Sequence, residues 1–129
     1  MTQAQLLGSF GLALVLTLSA GSAFADCSGG LGRGWASGKG AGQFEMAASD
    51  KQCVIGFANF IDDATQTKLP ATDVALTRAP QNGKIGIAKT GVVYTPTPGF
   101  KGQDKFCTTN TAKERPGKKL WGCITVTVK

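Results

Sequence analysis

The chain has 129 residues, 42% of them hydrophobic and 17% charged, with 14 Lys and Arg against 8 Asp and Glu, 4 cysteines and no histidine. That length makes one domain rather than two. Without histidine there is no Ser-His-Asp or Cys-His catalytic pair, no imidazole metal ligand and no side chain that titrates unperturbed near neutrality, so an enzyme is not expected.

Leu6 to Ala20 is an uncharged apolar run, shorter than the roughly 20 residues that a membrane span requires. Ala23 and Ala25 then form the A-x-A pattern of a signal-peptidase site, which predicts a signal peptide over 1–25 and a mature chain over 26–129. Met1 to Gln5 lacks the usual Lys or Arg, so an uncleaved anchor is the alternative. All charged residues lie after position 25, and the mature chain therefore carries the whole net charge of +6. Export to the periplasm or the extracellular space puts Cys27, Cys53, Cys107 and Cys123 where thiols oxidise. No C-x-x-C spacing is present, so zinc and thioredoxin-type chemistry is excluded and two structural disulfides are expected.

From Ser28 to Gly42, seven of fifteen residues are glycine, with Arg33, Trp35 and Lys39 among the rest. Such a stretch is costly to order and has no apolar period, which predicts a flexible arm or long loop over 26–42 tethered at Cys27. It is not a phosphate-cradling loop. Gly38-Lys39 lacks the earlier glycine of G-x-x-x-x-G-K, and Gly30-Leu31-Gly32 lacks the third glycine of the dinucleotide motif, so no cofactor is expected.

Over 43–129 the texture changes to short β-branched and aromatic segments punctuated by turn signals. The predicted strands are Phe44 to Ala48, Cys53 to Phe60, Asp73 to Arg78, Lys84 to Ala88, Val92 to Thr95, Asp104 to Asn110 and Trp121 to Val128. Asn82-Gly83, Lys89-Thr90-Gly91 and Pro96-Thr97-Pro98-Gly99 supply turns between them. No window holds a helical period, so the domain is expected to be all-β with about seven strands. Period two also bears on the cysteines. If Phe106 and Ile124, Val126 and Val128 point into the core, Cys107 and Cys123 both point out from neighbouring strands. That favours Cys107 with Cys123 and Cys27 with Cys53; a Cys53 to Cys107 bridge between sheets is the alternative.

The stretch Pro80-x-x-Gly83-Lys84-Ile85, then Gly91-Val92-Val93-Tyr94-Thr95-Pro96-x-Pro98-Gly99-Phe100-x-Gly102-x-Asp104-x-Phe106, then Ile124-Thr125-Val126-Thr127-Val128 resembles the Ig-like, cadherin-like repeats of bacterial exported and surface proteins. The resemblance implies a β-sandwich and a non-catalytic role. It further implies that Phe100 and Phe106 plug the core, that Tyr94 closes the sandwich and that Asp104 accepts backbone hydrogen bonds that hold a turn. Such repeats occur in tandem, whereas this chain has one copy, so it is no stalk. The calcium-binding relatives cluster acids between repeats, but here Asp62-Asp63 is the one adjacent pair, and no metal is expected.

The segment 111–121 joins the last two predicted strands. It carries Lys113, Arg115, Lys118 and Lys119 against Glu114, a net of +3, with Pro116-Gly117 at its tip and Trp121 behind it. In Ig-like sandwiches that loop is a common recognition loop. Basic residues beside an aromatic suit an anionic polysaccharide or lipopolysaccharide, with an envelope protein as another partner class. The plainer alternative is a solvated tip with Trp121 as filler. A small secreted inhibitor acting through rigid loops is the second functional class, and a monomer is expected.

Overall fold

The computed structural model describes residues 27–129; the expected signal peptide and its cleavage point lie outside the described residues. The chain is all-β, with ten strands and one short 3₁₀ turn over Trp35–Ser37 among those residues. The strands are β1 (Ser28–Gly30), β2 (Gly40–Met46), β3 (Cys53–Gly56), β4 (Asn59–Asp62), β5 (Thr67–Pro70), β6 (Asp73–Arg78), β7 (Gly83–Ala88), β8 (Gly91–Pro96), β9 (Gly102–Thr111) and β10 (Leu120–Val128). They form a five-stranded sheet in the order β1-β2-β10-β9-β6, a three-stranded sheet β3-β8-β7, and a two-stranded ribbon β4-β5.

The longest strands follow their alternation. Along β10, Leu120, Ile124, Val126 and Val128 are buried while Trp121 and Cys123 stay half-exposed, and β9 buries Asp104, Phe106, Thr108 and Asn110 in the same rhythm. The inner faces of the two larger sheets share one core, in which Phe44, Met46, Phe106 and Ile124 meet Cys53, Ile55, Val92 and Tyr94. Tyr94 and Phe106 stack across it with ring centroids 6.3 Å apart. This two-sheet arrangement is consistent with a β-sandwich.

Both favoured cysteine pairs are in disulfide geometry. Cys107 and Cys123 stand directly opposite in the β9–β10 ladder with their Cα atoms 3.9 Å apart, and Cys27 meets Cys53 with Cα atoms 5.1 Å apart. Because Cys27 precedes β1 and Cys53 lies in β3, the second bridge ties the larger sheet to the smaller one.

Three expectations are corrected. The glycine-rich segment is not a free arm: it supplies β1, the 3₁₀ turn and the first half of β2, which runs parallel to β10 with Gly122 opposite Gly40. Here glycine provides room. A methyl group at Gly40 would overlap the Trp35 ring, and one at Gly38 would come within 2.5 Å of the Trp121 ring. Trp35 is thereby buried, and its indole N–H donates to the Leu31 carbonyl at 2.7 Å. The strand count is the second correction. Cys53 to Phe60 is broken at Phe57-Ala58, where the chain leaves the three-stranded sheet and begins the β4–β5 ribbon. The turn of that ribbon is built on Asp62, whose Oδ1 accepts the N–H groups of Ala64 (3.0 Å) and Thr65 (3.4 Å).

Asn82-Gly83 also behaves differently from a tight hairpin signal, because β6 and β7 lie in different sheets. Gly83 is absent from the positive-φ glycines, and a methyl group there would come within 2.5 Å of the Tyr94 ring. The corner is held instead by Asp104, which is 4% exposed; its Oδ1 accepts the Gln81 N–H (2.9 Å) and its Oδ2 accepts the Asn82 N–H (3.0 Å) and the Tyr94 hydroxyl (2.7 Å). Burial, and then the hydrogen bond and charge of Asp104, push the Tyr94 phenol well above its ordinary range.

Candidate functional site

The basic segment projects from the best-paired ladder of the molecule, β9 with β10, which runs in register from Asn110 opposite Leu120 to Gly102 opposite Val128. At its base the buried Asn110 donates through Nδ2 to the Leu120 carbonyl at 3.0 Å, closing the two ends of the loop on each other. Two turns then fold the segment on itself. Arg115 N–H donates to the Ala112 carbonyl (3.1 Å) and Lys118 N–H to the Arg115 carbonyl (3.2 Å), and Gly117 takes φ 81°. That last position is in the left-handed region and suits glycine. The loop is a defined surface presented by a rigid hairpin.

Lys113, Lys118 and Lys119 are exposed, and Arg115 is half-buried. All four line one open hollow of about 450 Å³, together with Pro116, Gly117 and Asp73 from the start of β6. The sequence pattern missed Asp73, which stands opposite Thr111 in the β6–β9 ladder and is brought to the loop only by long-range pairing. No ion pair engages any of the four cations among the described residues.

Two of these cations lie on aromatic rings. Lys119 Nζ is 4.6 Å from the centroid of Trp121, and the Arg115 guanidinium carbon is 5.6 Å from that of Phe60 in β4. Both are within the range of cation–π attraction, worth about 0.5–1 kcal/mol at exposed sites. Trp121 does not line the hollow. Its ring packs on Gly38 and acts as a platform under Lys119. The arrangement offers four positive side chains around one hollow, two of them resting on aromatic rings, with one carboxylate at the edge. Its chemistry is anion attraction; among the described residues, no three acidic or cysteine side chains converge as a metal site would require.

Compared with protein-family models, with curated proteins and with solved structures, the chain matches none.

Proposed function

We propose that this chain is an exported, non-catalytic binding module of the bacterial envelope, Ig-like in architecture, that attaches to anionic surfaces through the basic segment 111–121. The observation that carries this reading is the convergence of Lys113, Arg115, Lys118 and Lys119 on one hollow of a braced hairpin, with no internal ion pair among the described residues to neutralise them. Two disulfides fit an oxidising compartment, and among the described residues no helix is long and apolar enough to cross a membrane. With the loop backbone held by its turns and Arg115 and Lys119 resting on aromatic rings, the segment loses less freedom on binding than a floppy lysine-rich tip would.

The attraction should be electrostatic and therefore screened, since the Debye length falls from about 8 Å at physiological salt to about 3 Å at 1 M. Retention on immobilised heparin and on lipopolysaccharide vesicles tests it. The wild-type protein should bind at low ionic strength and be released by salt, and the Lys113→Glu, Lys118→Glu, Lys119→Glu variant, altered only at exposed positions, should pass through unretained. Equal elution of the two proteins would overturn the reading. A salt-tolerant, stoichiometric complex with an envelope protein would point to the inhibitor class instead.

A further inference from the structure

A second concavity lies between the 3₁₀ turn and the β4–β5 ribbon. It is a groove of about 490 Å³, it meets the loop's hollow only at Arg115, and its volume falls in the usual range for small-ligand sites. The floor is made of Leu31, Trp35, Phe60 and Leu120. Since the Trp35 indole N–H is already taken by the Leu31 carbonyl, the tryptophan offers the groove only its apolar ring. At the wall, Ile61 is 61% exposed, an apolar side chain left in water on a strand whose other face is packed.

The rim is charged with one sign. Arg33, Lys68 and Arg115 line the groove, no acid does, and none of the three is in an ion pair among the described residues. Lys68 stands directly opposite Ile61 in the ribbon, so a cation and an apolar side chain share one face at the groove's edge. Arg115 rests on the Phe60 ring, which fixes its position while leaving guanidinium donors for another group. We infer that this groove binds a free single-chain anionic amphiphile, one molecule at a time, with its acyl stem on the aromatic floor and its carboxylate or phosphate between Arg33, Lys68 and Arg115. An acidic peptide fits less well. Its amide groups would need partners, and Asn59 is the one neutral polar side chain of the lining with donors or acceptors to spare. The inference does not rest on the polyanion reading, because only Arg115 is shared.

The test is titration of the oxidised protein with sodium dodecanoate below its micelle concentration, followed by tryptophan fluorescence and calorimetry, with dodecanol and butyrate as controls. The expected result is saturable one-to-one binding of dodecanoate, at least about tenfold weaker binding of either control, and a similar loss in Lys68→Glu and in Ile61→Glu. Both positions are exposed, and unchanged melting of the variants would show that they fold. The Lys113→Glu, Lys118→Glu, Lys119→Glu variant should bind dodecanoate as the wild type does, even if it no longer binds heparin. Absence of saturable binding would overturn the inference, as would undiminished binding by both groove variants. So would loss of dodecanoate binding in the loop variant, equal affinity for an acidic peptide, or binding to anionic vesicles alone.

Discussion

Asp104 is a buried carboxylate served by four donors: the N–H groups of Gln81, Asn82 and Lys105 and the hydroxyl of Tyr94. Its charge is tolerable in the interior because those donors replace water. Tyr94→Phe removes one of them from a charged acceptor and should cost about 1.5–3 kcal/mol in urea unfolding. It should also change the alkaline limit of stability. The folded Tyr94 binds its proton more tightly than the unfolded chain, whose phenol titrates near about 10, so this contribution is intact below about pH 10 and is lost as pH rises towards the folded value. Tyr94 is the chain's single tyrosine, and the variant should therefore lose less of its melting temperature between neutral and strongly alkaline pH than the wild type does. Glycines give a second residue-level contrast. Gly40→Ala places a methyl group against Trp35 and should cost about 1–3 kcal/mol through overpacking. At Gly86 nothing lies within 4 Å and φ is not positive, so Gly86→Ala should be neutral or stabilising by roughly 0.5–1 kcal/mol. Equal melting temperatures for the two glycine variants would contradict this account of how glycine is used.

At the scale of elements, legibility divides between local and long-range signals. β10 was readable because Ile124, Val126 and Val128 alternate without interruption, and the same alternation placed Cys107 and Cys123 on one outer face. The glycine-rich segment departs from the expected flexibility because its glycines serve a fixed path: Gly32, Gly34 and Gly38 take positive φ, and Gly38 and Gly40 also leave room beneath two tryptophans. The pairing of β2 with β10 is parallel and joins strands far apart in the chain, so no neighbouring turn announces it. The β4–β5 ribbon lacked a Gly-containing turn signal, since its reversal depends on Asp62 and on Gln66 at φ 57°. Of the candidate site, the cations were legible as a charge cluster. So was Trp121 beside them, whereas the Phe60 ring under Arg115 and the Asp73 carboxylate were not, because they arrive from β4 and β6. The bridge from Cys27 to Cys53 holds the glycine-rich segment. Replacing both cysteines by alanine should cost about 3 kcal/mol, with a sequence separation of 26 between them. Hydrogen exchange should then quicken in β1 and the 3₁₀ turn while β9 and β10 stay protected; uniform protection would show that the bridge does not hold the segment.

For the whole molecule, the described domain is small enough that burial alone leaves little stability in reserve. The two disulfides meet that need at different points, one within the larger sheet and one between the sheets. The same scaffold then sets two cationic concavities side by side, sharing Arg115, with Asp73 at the edge of one and no acid in the other. A net charge of +6 suits a protein that meets anionic material, and an oxidising location suits one that depends on cross-links. Export with oxidation is thus the claim on which the rest depends, and mass spectrometry of the native protein, intact and after non-reducing digestion, tests it most directly. The account predicts a chain beginning at Asp26, no free thiol, and peptides joined as Cys27 to Cys53 and Cys107 to Cys123. A native chain that retains Met1 with all 4 cysteines reduced would contradict it.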